Sequence, residues 1–287
     1  MQKALPYLAL ASAVIATAIG AMFIRWANAP GSVTVFYRTS IATLLLFPVF
    51  LRQARHENSL FALPVKGLLF ALLGGLFIAL DQAAWSAAVL TTKIANATYF
   101  NSMAPLWVAL FALLILKEKL RGIFWAGLFL ALTGAGIILG NDLIRHPHLG
   151  SGDILGLLSS FFYGGYFVAA QFGRKYLHTV SYTWIATLMC ALTLLVLNSV
   201  SGAALTGYPL QTYLVFLGAA LVSQVLGYYS MGYALGHLPA STVAPSMLGK
   251  PVIAALLAIP LFGEMVNANE IIGGFLILAG IYMVNRR

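Results

Sequence analysis

Apolar residues in this chain fall into continuous runs of about 20, parted by short clusters of Arg, Lys, Glu, Asn, Gly and Pro. A helix of that length crosses a hydrocarbon core of roughly 30 Å. Lipid offers no partner to an exposed backbone N–H or C=O, so such runs must close their hydrogen bonds internally. The breaks predict helices over 4–26, 32–52, 66–90, 95–116 and 121–140, then 151–172, 180–200, 212–236, 240–262 and 268–284. A transmembrane barrel would need short alternating segments instead. The first run, Ala4 to Trp26, is longer than a signal-peptide core and lacks a convincing cleavage site, so it reads as the first span. Connections are short and leave no room for a soluble domain.

Composition agrees. Of 287 residues, 61% are hydrophobic and 8% charged, against about 25% charged in soluble domains. The net charge of +9 sits mostly in loops, which argues for membrane orientation rather than nucleic-acid binding. One side collects Lys3, Arg52, Arg55, Lys66, Lys117, Lys119, Arg121, Arg174, Lys175, Arg286 and Arg287; the other holds Arg25, Lys93 and Arg145. Basic residues concentrate on the cytoplasmic side, so both termini are expected in the cytoplasm and the chain in a bacterial inner (plasma) membrane. Cys190 is the single cysteine, which excludes an intrachain disulfide or a thiolate metal site. The pair His146 and His148 lacks a third ligand, so neither metal nor cofactor is expected.

The chain repeats itself. "PLWVALFALLILKE" (105–118) and "PVIAALLAIPLFGE" (251–264) align Pro105 with Pro251 and Glu118 with Glu264, an offset of 146. The same offset matches Gly127 to Gly273, Phe129 to Phe275, Leu130 to Leu276 and Gly134 to Gly280. Each copy has five spans, an odd number, so the copies, 1–145 and 146–287, face opposite ways. Inverted repeats are a recurring plan of secondary transporters.

Further stretches carry a family likeness: "GDILGLLSSFFYGGYFVAAQFGRK" (Gly152 to Lys175), Arg38 within "FYRTSIATLLLF", and the proline-then-glutamate pattern. With the ten spans, these resemble the EamA family of the drug/metabolite transporter superfamily over nearly the whole chain. The resemblance implies an inner-membrane carrier, often an exporter of amino acids or related metabolites. One branch exports aromatic amino acids; the motifs quoted single out no branch.

Arg38, Asp81 and Lys250 lie inside spans, where a charge costs about 2.5–3.5 kcal/mol on insertion scales. At 1.5 Å per residue, Lys250 is roughly 15 Å from the cytoplasmic end of its helix, Asp81 about 13 Å and Arg38 about 9 Å from external ends. Lys250 reads as a partner for a cargo carboxylate or phosphate, as a proton-coupling group, or as one half of an ion pair with Asp81. Asp81 reads as that counter-ion or as a proton carrier. Arg38 fits a scaffold role or a binding role. Pro105 and Pro251 each remove a backbone bond and predict kinks, the second freeing the Met247 carbonyl beside Lys250. Trp85, Tyr99, Asn101, Tyr163, Tyr166, Tyr228 and Tyr229 are candidate cavity aromatics and polar contacts, each aromatic more readily read as packing.

The expected molecule is therefore an all-α integral membrane protein, two inverted five-helix repeats around a central cavity. It would export small amphipathic metabolites by alternating access, with phosphorylated or sugar-linked anions as the alternative cargo. Scattered histidines argue against an integral-membrane enzyme, and the lack of a filter-like loop argues against a channel. Proton coupling and passive exchange both fit these residues, as do a monomer and a homodimer.

Overall fold

The computed structural model describes residues 4–56, 63–115, 117–139, 150–262 and 268–286. His146, His148, Arg145, Glu264, Lys3 and Arg287 lie outside them. Among the described residues the regular structure is helical: α1 (Leu5–Ala27), α2 (Gly31–His56), α3 (Val65–Thr91), α4 (Ile94–Asn101), α5 (Ala104–Leu114), α6 (Gly122–Leu139), α7 (Ser151–Gly173), α8 (Thr179–Val200), α9 (Leu210–Ala219), a π-helical stretch (Ala220–Tyr228), α10 (Tyr229–Leu235), α11 (Ala240–Ser246), a 3₁₀ turn (Met247–Gly249), α12 (Lys250–Phe262) and α13 (Ala268–Asn285). They make up ten stretches long and apolar enough to cross a membrane. The ends follow local chemistry. Pro6 opens α1, where its missing N–H costs no bond, and Asn28 closes it in the left-handed conformation with φ 47°.

Three spans are composite. The stretch Ala95–Leu114 is divided by a turn at Ser102 and Met103. The stretch Leu210–Leu235 carries the π-helical segment, and Ala240–Leu257 carries the 3₁₀ turn.

The chain forms two compact units, and each draws on both sequence halves: unit 1 is Met1–Ala83 with Tyr166–Pro239, unit 2 is Ala84–Gly165 with Ala240–Arg287. The compact units thus cut across the 1–145 and 146–287 repeat division.

In unit 1, α2 packs along α8, and α1 packs against α9, the π-helical stretch and α10. The Trp184 indole N–H donates to the Thr43 carbonyl at 3.0 Å and its ring stacks on Phe50 with centroids 4.3 Å apart. At the loop end of α7, Arg174 Nε donates to the Gly232 carbonyl at 2.9 Å, and its Nη1 donates to the Leu177 carbonyl. Burial holds the Arg174 guanidinium below its usual pKa, while Tyr229, Tyr182 and Tyr233 act in the opposite sense.

Unit 2 is built on the pair α6 and α13, which approach through glycine. A Cβ on Gly280 would lie 2.4 Å from the Gly127 carbonyl oxygen, and one on Gly134 would lie 2.5 Å from that of Gly273. By the offset of 146, Gly127 corresponds to Gly273 and Gly134 to Gly280. The contacts are therefore crossed: Gly127 meets Gly280, and their counterparts, Gly273 and Gly134, meet each other. Other pairs behave alike. Gly280 meets Ala131 where Gly134 meets Ile277, and Gly273 meets Ile138 where Gly127 meets Val284; Ala131 and Ile277, and Ile138 and Val284, are again 146 apart. Reciprocal contact of this kind is the mark of a two-fold relation, here between two halves of one chain. The fold is two inverted repeats.

Candidate functional site

In unit 2 the candidate site begins with a broken helix. α5 opens at Ala104 and α12 opens at Lys250, positions related by the same offset of 146, so the two repeats interrupt one span each at matching positions. Matching interruptions in the halves of a carrier point to its binding region. Pro105 and Pro251 follow directly, one residue into each new helix. The Met247 carbonyl, which Pro251 cannot bond, accepts the Lys250 N–H. The carbonyl that the proline frees thus has another partner, because a 3₁₀ turn supplies a donor three residues on instead of four.

Lys250 is half-buried at this break. Its ammonium lies 3.5 Å from the Tyr163 hydroxyl and 4.9 Å from the centre of the Tyr163 ring. Tyr163 itself is buried on α7. A ring face and a hydroxyl together stabilise an ammonium in an apolar setting. The surrounding polar groups brace α7 against α4 and α5: Asn101 Nδ2 donates to Ser159 Oγ at 2.9 Å, and Trp107 Nε1 to Ser160 Oγ at 2.9 Å. Tyr99 packs against Gly136 of α6, and Trp85 is half-buried.

Unit 1 holds the other charges. Arg38 is 5% exposed and Asp81 1% exposed. Arg38 Nη1 donates to Ser223 Oγ at 3.4 Å, and its guanidinium carbon lies 5.5 Å from the centre of the Tyr228 ring. Asp81 accepts from Gln82 Nε2 at 2.7 Å. Both charges act on the Cys190 thiol and the Tyr228 hydroxyl. Ser223 and Tyr228 belong to the π-helical stretch, whose wider winding is common at functional positions. Next to it opens a narrow cleft lined by Gly74, Tyr166, Tyr182, Thr183, Gln224 and Cys190, among others. Gln224 Nε2 donates to Thr187 Oγ1 at 3.2 Å. Tyr229 is half-buried, near enough to Arg174 for the two to interact electrostatically.

The sequence reading therefore named residues of both clusters: Lys250, Tyr163 and Asn101 in unit 2, Arg38, Asp81 and Tyr229 in unit 1. It passed over Ser223, Gln224, Tyr182 and Thr183, whose types are ordinary in membrane helices. The period of neither an α-helix nor a strand flags a π-helical turn. Arg174 was read only as a loop charge.

Comparison with known proteins places these clusters in context. The profile of the EamA-like transporter family matches twice, over residues 4–140 and 150–286. The chain is 27% identical over 265 residues to the pseudopaline exporter of Pseudomonas aeruginosa, covering 91% of this chain and 88% of that one. It is also 27% identical over 195 residues to a protein of Streptantibioticus cattleyicolor named as a probable terminal-alkyne amino-acid exporter, covering 67% of this chain and 64% of that one. A solved crystal structure shares the fold with a TM-score of 0.77 at 17% identity, covering 98% of this chain and 96% of the other.

Proposed function

The chain belongs to the EamA-like transporter family, and from that premise we propose that it exports small amphipathic metabolites, amino acids or their relatives, across a bacterial inner membrane. The observation that carries this reading is Lys250, a half-buried ammonium held at a helix interruption beside Tyr163. A cation so placed suits a cargo with an acid group and an apolar body. The relatives named as exporters of pseudopaline and of an amino acid support the same class. Transport leaves the cargo chemically unchanged, and both termini lie in the cytoplasm, as the loop charges direct.

The test is thermal unfolding of purified protein against a panel of amino acids and organic phosphates, with Lys250→Ala beside the wild type. A ligand specific to the folded state adds about 2.7 kcal/mol at a hundredfold excess over Kd. Stabilising ligands should be amino acids, and their effect should vanish in Lys250→Ala. Organic phosphates as the sole stabilisers would replace the cargo class; ligands that bind the variant equally well would remove Lys250 from the site.

A further inference from the structure

The polar atoms that unit 1 buries without hydrogen-bond partners share a chemistry. Among the described residues of that unit they are Arg38 Nε and Nη2, Tyr182 Oη, Thr183 Oγ1 and Gln224 Oε1. All but the last can donate. Arg38 Nε and Nη2 form one edge of the guanidinium, the spacing that matches two oxygens of a carboxylate. The bond to Ser223 uses Nη1 and leaves that edge without a hydrogen-bond partner in the protein. A buried charge with unpaired donors is costly, and each such group in a native structure calls for a reason.

The surroundings bias the choice of ligand. Tyr182, Thr183 and Gln224 wall the cleft together with Cys190 and Tyr228, and the charge of Arg38 reaches both Cys190 and Tyr228. The other charges acting on cleft residues are Asp81, on Cys190 and Tyr228, and Arg174, on Tyr182. Two cations and one anion thus act on the cleft residues, and of the unpartnered atoms four can donate and one only accepts. An ammonium group would meet the wrong field. A water molecule would satisfy the hydroxyls but would leave the excess positive charge as it is.

We propose that unit 1 carries a carboxylate subsite in which the Nε–Nη2 edge of Arg38 grips the acid group and the Tyr182 and Thr183 hydroxyls donate along the cleft beside it. Resting on the reading of the chain as a carrier, this makes carboxylate-bearing solutes its cargo and excludes their amides. Ser223, from the π-helical stretch, is the positioning residue that holds the opposite side of the guanidinium.

The experiment uses the full chain in detergent micelles and three acids, L-phenylalanine, L-leucine and 3-phenylpropionate, each beside its primary amide. Dissociation constants are read from the shift of the unfolding midpoint with concentration. At least one acid should bind about tenfold or more tightly than its amide, the scale of a charge-assisted hydrogen bond. Arg38→Lys keeps the charge but loses the planar edge, and should weaken that acid by a further factor of roughly ten while leaving the amide unchanged. Tyr182→Phe should weaken the acid several-fold without lowering the ligand-free midpoint, because its hydroxyl has no partner to lose. If Arg38→Lys does not fold, Tyr182→Phe and Thr183→Val carry the test. Equal binding of acid and amide, no shift with any acid, or a Tyr182→Phe chain that is merely less stable would overturn the proposal. Flux separates the two readings. Solute movement indifferent to acid or amide leaves a carrier without this subsite; Arg38-dependent acid binding without movement leaves the subsite without a carrier.

Discussion

Replacing Gly280 with alanine tests the seam on which unit 2 is built. The new Cβ would sit 2.4 Å from the Gly127 carbonyl oxygen, 2.6 Å from the Ala131 nitrogen and 2.8 Å from the Ala131 Cβ. Ordinary contact begins at 3.4 Å, so α6 and α13 must part by about 1 Å where they cross, and two of the three obstructing atoms are backbone. Overpacking on this scale costs about 1–3 kcal/mol. Helix propensity acts the other way, since alanine is better than glycine by roughly 1 kcal/mol in a helix. Gly274→Ala removes that complication. It gains the same propensity, but its Cβ meets only the Val252 methyls at 3.7 Å. The difference between neighbouring substitutions, Gly273→Ala and Gly274→Ala, therefore isolates the packing cost. Unfolding midpoints in detergent should fall by several degrees for Gly127→Ala, Gly134→Ala, Gly273→Ala and Gly280→Ala and rise slightly for Gly274→Ala. The double variant Gly127→Ala/Gly280→Ala should lose less than the sum of its singles, because the helices part once for both. A Gly280→Ala chain as stable as Gly274→Ala would refute the glycine contact and the two-fold relation read from it.

Arg174→Lys should destabilise the chain by about 1.5–3 kcal/mol, read as a lower unfolding midpoint, since a lysine cannot fork to the Gly232 and Leu177 carbonyls and hydrogen bonds to a charged group are worth that much; a neutral result would show the clamp to be incidental. Asp153 accepts from the Gly150 N–H at 2.8 Å and from Thr92 Oγ1 at 2.9 Å. Asp153→Ala should cost about 1 kcal/mol as the loss of a helix-start acceptor, and Thr92→Val should cost less, both read as midpoint shifts. Gly20→Ala would place a Cβ 2.4 Å from Ser223 Oγ. That forces the hydroxyl to turn, so acid binding should weaken more than stability does.

Much of the fold was legible in the chain because lipid imposes one rule on every span. Apolar runs and the polar breaks between them located the ten spans, and the offset of 146 exposed the repeat through Gly127, Gly134 and their counterparts. The offset says which residues correspond, but only the structure shows the crossed contacts, Gly127 to Gly280 and Gly134 to Gly273. Nor could the sequence show that the compact units interleave the halves. Apolar helices in lipid carry little hydrophobic preference for one neighbour over another, and small residues mark a contact face without naming its partner. The site was half legible. Charges inside spans stand out by their cost, so Arg38, Asp81 and Lys250 were visible at once. The partner of Arg38 was not: Ser223 is 185 residues from it, and a serine in a membrane helix carries no signal of its own. The Met247 carbonyl shows the same limit, since the proline predicts the loss of one bond and says nothing of the 3₁₀ turn that replaces it.

Counterflow in proteoliposomes tests most directly whether the chain is a carrier that recognises an acid group. Vesicles loaded with unlabelled L-leucine or L-phenylalanine would be given the labelled amino acid outside. The account predicts saturable, protein-dependent accumulation of unchanged label, accelerated by the loaded amino acid and reduced in Lys250→Ala and Arg38→Lys. Flux that never saturates, label recovered as a different compound, or accumulation equal in vesicles without protein would contradict it.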